Sequence, residues 1–113
     1  MDHDEVDPSD LAAVLEQIRA QAVAGNFRIT QHAQQEMVEK DIALDQVLEA
    51  IATGQILENY PEHRRGACCL LNGFARGGRP IHIVCTTAQP VLIIITVYEP
   101  RPPRWMTPTQ RRR

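Results

Sequence analysis

At Gly54 the hydrophobic period of the chain changes from helical to extended, and no other feature of the sequence limits the fold as strongly. Before it, Leu11, Val14, Leu15 and Ile18 recur at i, i+3, i+4 and i+7, and Ala22 prolongs the stripe. Pro8-Ser9-Asp10 opens this first helix, with Ser9 expected as its cap, and Gly25-Asn26 closes it. Phe27-Arg28-Ile29 reads as a short extended link. Thr30 is the expected N-cap of a second helix over about 31–40, with Ala33, Met37 and Val38 as its apolar contacts. Leu44, Val47, Leu48, Ile51 and Ala52 form the cleanest amphipathic stripe, ended by Gly54. Beyond Gly54, strands are expected at about 55–60, 66–74, 80–87 and 91–98. Arg76-Gly77-Gly78-Arg79 is a hairpin turn, since paired glycines supply positive φ, and Ala88-Gln89-Pro90 is a second tight link. Links this short force antiparallel neighbours, because a parallel return needs a dozen residues or more. The expected fold is α+β, with about three N-terminal helices packed on a four-stranded antiparallel sheet.

The 113 residues suit a single core. Three stretches are distinguished: an acidic N-terminal segment and helix (1–26), the α+β domain (27–100) and a Pro/Arg-rich tail (101–113). Prolines argue against ladder pairing in the tail, Trp105 is expected to dock it on the body, and Arg111-Arg112-Arg113 are expected to be mobile. No apolar run approaches the ~20 residues of a membrane helix. The acidic N-terminus is unlike an export signal, and the three cysteines, an odd number without CxxC spacing, fit a reducing compartment. The expected location is therefore cytoplasmic. Cys68 and Cys69 are adjacent on a strand and point to opposite faces, and neither pairs with His63 or Cys85 at zinc spacing, so no metal and no cofactor is expected.

Charge is divided along the chain. Residues 1–62 hold thirteen carboxylates against three basic residues, a net −10; residues 63–113 hold nine arginines against Glu99, a net +8. An Arg-only basic half suits phosphate or carboxylate partners, because guanidinium forks match both. The plainer reading is that the acidic half folds back and neutralises it.

Strand alternation sorts the candidate residues. Val91, Ile93, Ile95 and Val97 share one side of the last strand, and Ile81, Ile83 and Cys85 one side of the strand before; these aliphatic sets are expected under the helices. His82, Thr96 and Tyr98 fall on the mixed sets and are expected to converge on the other face. The plainer reading of His82 is a strand residue satisfied by a backbone carbonyl. His32 stands in the first turn of its helix, where the positive helix end suits a neutral, proton-accepting imidazole. Glu36 and Lys40 continue its polar stripe. Arg64, Arg65, Arg76 and Arg79 cluster around strand ends, and Arg79 directly precedes the His82 strand, where it is placed to hold a phosphate.

Five segments in order carry a resemblance: Ile29-Thr30-Gln31-His32-Ala33, Ile42-Ala43-Leu44-Asp45-Gln46-Val47, Gly54-Gln55-Ile56-Leu57-Glu58-Asn59-Tyr60, Gly78-Arg79-Pro80-Ile81-His82-Ile83-Val84 and Ile94-Ile95-Thr96-Val97-Tyr98-Glu99-Pro100. Over about residues 27–113 the chain resembles a bacterial domain-of-unknown-function family, number forty-two fifty-eight. That family is itself similar to the RelE-like, barnase–EndoU–colicin group of small ribonuclease folds. The resemblance implies a toxin of a toxin–antitoxin pair, RNA bound on a curved antiparallel sheet, and an antitoxin partner of the MqsA zinc-finger type. It places recurrent polar residues at His32, Arg79, His82, Thr96 and Tyr98. Glu36 and Lys40 stand where such sequences often carry arginine.

The function expected from residues and resemblance together is a metal-independent endoribonuclease. The RNA 2′-hydroxyl attacks the adjacent phosphate, one of His32 and His82 takes the proton and the other returns one, and Arg79 with Arg64 stabilises the phosphorane. Thr96 and Tyr98 orient the substrate, and Arg65, Arg76 and Lys40 bind it. The rival expectation is a non-catalytic Arg-rich module that docks RNA or an acidic protein, with both histidines structural. A weaker alternative is homo-oligomerisation through the two oppositely charged halves.

Overall fold

The computed structural model of the chain describes residues 6–112. Helix α1 (Leu11–Val23) is capped by Asp10, whose carboxylate accepts from Ala13 N, rather than by Ser9. Strand β1 (Phe27–Ile29) leads into α2 (Gln31–Glu39), where Thr30 Oγ1 caps Ala33 N as expected. Helix α3 (Leu44–Thr53) starts at Ala43, whose N–H is taken by the Gln46 side chain in place of a polar cap. Strands β2 (Gln55–Tyr60), β3 (Cys68–Ala75), β4 (Arg79–Thr86) and β5 (Leu92–Tyr98) follow, close to their expected bounds. Gly77 and Gly78 both have positive φ in the β3–β4 turn.

The sheet differs from expectation in one respect. It has five strands in the order β1-β5-β4-β3-β2 and is mixed, because the Phe27–Ile29 link pairs parallel with Leu92–Ile94. The three-residue link has α1 on one side of it and α2 on the other, so the parallel return is supplied by everything from α2 to β4. Beyond Ile94 the edge of β5 passes to the helical layer. Thr30 N–H donates to Ile94 O, Thr30 Oγ1 donates to Ile95 O, and the Glu36 carboxylate accepts from Val97 N at 3.0 Å.

One face of the sheet carries the core. Val14, Ile18 and Ala22 of α1, Ala33 of α2 and Val47, Ala50 and Ile51 of α3 pack on Cys69, Leu71, Ile81, Ile83 and Cys85. In β5 the core residues are Leu92, Ile94 and Val97, not Val91, Ile93 and Ile95. The register explains the correction: Val84 pairs with Thr96 but Cys85 with Ile94, so a bulge at Ile95 shifts the alternation by one residue. Helix α3 comes so close that a Cβ on Gly73 would meet the Ala50 carbonyl oxygen at 1.8 Å. The three cysteines are free and buried; the Cys69 hydrogen bond and burial both push the Cys85 thiol well up.

The tail is not irregular. Trp105–Thr107 (β6) and Gln110–Arg111 (β7) form an antiparallel hairpin, with Arg112 N–H donating to Arg104 O. Its prolines lie outside the paired positions, which is why they do not prevent the ladder. Among the described residues no helix is long and apolar enough to cross a membrane.

Candidate active site on the open sheet face

The face turned away from the helices is set by cross-strand partners. Asn72 stands opposite His82, His82 opposite Tyr98, Val84 opposite Thr96 and Leu70 opposite both Val84 and Glu58. The expected convergence of His82, Thr96 and Tyr98 is therefore a property of the sheet register. His82 Nδ1 lies 3.1 Å from Tyr98 Oη, with the rings edge to face at 5.2 Å.

The C-terminal hairpin lies across this face. His82 Nε2 is 2.6 Å from the Pro108 carbonyl oxygen, and the Trp105 ring stands edge-on to the imidazole at 4.4 Å. A carbonyl only accepts, so Nε2 carries a proton; in the neutral ring that burial favours, Nδ1 accepts from the Tyr98 hydroxyl. Burial holds its pKa below the ordinary value, opposed by the Pro108 hydrogen bond, and burial pushes Tyr98 up. His82 is 0% exposed and Trp105 2%. The carbonyl-satisfied strand histidine of the plainer reading is the one observed.

Arg111 fastens the hairpin. Its Nε donates to Glu58 Oε2 at 2.6 Å and its Nη2 to Glu58 Oε1 at 2.9 Å, while its Cζ sits 4.6 Å above the Trp105 ring. The Tyr60 hydroxyl donates to the same carboxylate. The fork from Arg111 brings the Glu58 pKa down to about 2, and the carboxylate in turn raises Arg111. The expectation of a mobile Arg111-Arg112-Arg113 is corrected for Arg111 and Arg112, which belong to the hairpin; Arg113 lies outside the described residues. Asn72 Oδ1 is buried here without a partner among the described residues, at a cost of about 1–3 kcal/mol.

The other predicted residues stand elsewhere. His32 is on α2, in the helical layer, 65% exposed, and its Nε2 is 3.2 Å from Glu36 Oε1. The structure does not bring it to His82, whose ring neighbours come from β5, β6 and Pro108, because α2 packs along the β5 edge on the side opposite the open face. Glu36, read as part of a solvated stripe, instead ties α2 to Val97 N.

Arg79 is not free to hold a phosphate. Its guanidinium donates to Glu99, to Asp41 O at 2.9 Å, to Gln46 Oε1 at 3.1 Å and to Lys40 O at 2.8 Å, joining the end of α2 to the start of α3. Burial pushes the Glu99 carboxyl up, but the hydrogen bonds from Arg101 and Arg79 outweigh it and leave the pKa below the ordinary value. Arg76 is exposed and pairs loosely with Glu49 at 3.6 Å. These two arginines and the start of α3 line an open depression of about 390 Å³ whose wall includes Asp41, Asp45 and Glu49, the wrong sign for a phosphate. Lys40 caps α2 and is exposed. Arg64 and Arg65 are exposed in the β2–β3 loop that follows Tyr60, and Thr96 lies two register pairs along from the His82–Tyr98 contact.

Glu58, Tyr60, Arg111 and Pro108 were not singled out from sequence. The i, i+2 spacing of Glu58 and Tyr60 on a strand was the available signal for the first two. For the others it was the Trp-Met-Thr-Pro-Thr-Gln-Arg run, two short extended triplets around a turn.

A family model, domain of unknown function DUF4258, matches residues 29–99. The chain belongs to this family. The match begins at β1 and ends just after Tyr98, so His82 and Tyr98 lie inside the family domain, whereas the hairpin that covers them lies outside it. No curated protein and no solved structure matched the chain.

Proposed function

We propose that the chain is a metal-independent endoribonuclease of toxin type, with the His82–Tyr98 dyad as its acid–base machinery. The single observation that carries the reading is this hydrogen-bonded pair at the centre of the open sheet face, inside the family domain. The two-histidine relay is replaced by one imidazole and one phenol. With Nε2 released from Pro108 and the tautomer exchanged, Nδ1–H donates to the Tyr98 oxygen and Nε2 takes the proton of an RNA 2′-hydroxyl. The 2′-oxygen then attacks phosphorus, the bond from phosphorus to the 5′-oxygen breaks, and that oxygen takes the Tyr98 proton. The imidazolium returns its proton to the phenolate, and the products are a 2′,3′-cyclic phosphate and a 5′-hydroxyl. Burial supports this assignment by keeping Tyr98 protonated. Exposed arginines that make no ion pair among the described residues, Arg64, Arg65, Arg104 and Arg112, supply the attraction to the phosphate backbone.

The second reading, RNA binding without cleavage, is favoured by the complete burial of His82. One experiment separates them: purified full-length chain and single-stranded RNA in excess EDTA, at two salt concentrations. Cleavage that falls about 10²–10⁴-fold in His82→Ala and is also reduced in Tyr98→Phe supports the enzyme. Salt-sensitive binding with intact RNA supports the module. Cleavage unchanged in His82→Ala rejects the dyad.

A further inference from the structure

We propose that the C-terminal hairpin, residues 101–112, is an autoinhibitory strap that RNA phosphates lift by competing with Glu58 for Arg111. The inference rests on the ribonuclease reading for the identity of the site it shuts.

The hairpin occupies the positions a substrate needs. Nε2–H of His82 donates to the Pro108 carbonyl, so that protonated nitrogen has no lone pair for a 2′-hydroxyl. Trp105 covers the ring itself. The strap is held by a contact that a polyanion can exchange: Arg111 is forked onto one carboxylate, and a phosphate offers the same bidentate geometry. Glu58, once released, retains the Tyr60 hydroxyl as a partner. The seat is also imperfect, since Asn72 Oδ1 finds no partner among the described residues while it is closed, and lifting exposes it to water or to a base. Arg104 and Arg112, adjacent across the hairpin and without carboxylate partners among the described residues, give an approaching strand its first contacts. The strap is joined to the sheet at Pro100, beyond the strand that carries Tyr98, so the β4–β5 pairing that sets His82 opposite Tyr98 does not depend on it.

The test is amide hydrogen exchange over residues 101–112 in the full chain, with and without a uridine homopolymer in EDTA, together with cleavage rates. Arg111→Ala and, separately, Glu58→Gln are expected to raise exchange in the hairpin roughly tenfold or more, the effect of losing a charge-assisted contact on a local opening. The homopolymer is expected to raise it in the unaltered chain, and Arg111→Ala to cleave faster. If both variants and the homopolymer leave hairpin exchange unchanged while RNA is cleaved at the unaltered rate, the strap is rejected and the ribonuclease stands. If hairpin exchange rises in the variants and with the homopolymer but RNA remains intact, the hairpin is an RNA-lifted cover on a binding face, and both the ribonuclease and its autoinhibition are rejected.

Discussion

Arg79 shows how a residue chosen for chemistry acquires a structural role instead. Its side chain satisfies the Lys40 and Asp41 carbonyls between α2 and α3, holds the Gln46 amide at the start of α3 and pairs with Glu99, which is only 15% exposed. Removing it leaves a largely buried carboxylate and the two carbonyls of the α2–α3 link with reduced partners. Arg79→Ala is expected to cost about 2–3 kcal/mol, short of a fully buried pair because some solvent reaches it. Arg79→Lys is expected to recover little, since an ammonium cannot span four acceptors on three segments. Urea unfolding midpoints check both, and an unchanged midpoint in Arg79→Ala would show that the network is idle. His82 is the opposite case at the same scale: sequence supplied both readings, the catalytic and the carbonyl-satisfied, and only the register and the hairpin distinguish what its two nitrogens do.

Among the elements, α3 and β3 are in the closest approach. The Ala50 carbonyl lies where a Gly73 side chain would stand, and the Thr53 hydroxyl continues the strand ladder by accepting from Phe74 N and donating to Phe74 O. Gly73→Ala is expected to push the helix off the sheet and lower stability by roughly 1–3 kcal/mol or more, visible as an earlier thermal transition. A transition at the original temperature would mean that the helix shifts freely. The helices and four antiparallel strands were legible because each has a period and a punctuating glycine or cap; Gly54 and Gly77-Gly78 mark the boundaries that the structure shows. Three things were not. The pairing of Phe27–Ile29 with β5 joins residues some 65 positions apart with no local signature. The bulge at Ile95 adds one residue inside an unbroken aliphatic run, where nothing in Val-Leu-Ile-Ile-Ile marks the slip. The hairpin hides its ladder among prolines. The site was half legible for the same reasons: alternation aligned His82 with Tyr98, but partners arriving from the tail, Pro108 and Arg111, leave no trace in the strands they cover.

For the molecule as a whole, the acidic and basic halves meet at two ion pairs, Glu49 with Arg76 and Glu58 with Arg111, while Glu99 gathers Arg79 and Arg101 inside the basic half. The closed form is consequently sensitive to acid. His82 has a folded pKa below its ordinary 6.5, so its share of stability is complete above that pH and is lost as pH falls through the folded value. Glu58 adds a second loss between 4.5 and about 2, as the carboxylate that faces Arg111, Tyr60 and His82 takes up a proton. The hairpin is expected to loosen in these two stages, and Arg111→Ala to remove most of the lower one. The chain contains a single tryptophan, and that indole is wedged between the His82 imidazole and the Arg111 guanidinium. Its emission therefore reports this one place without any added label: short-wavelength while the ring is packed, red-shifted once it meets solvent, and readable in the same cuvette whether acid, a substitution or a nucleotide polymer does the loosening.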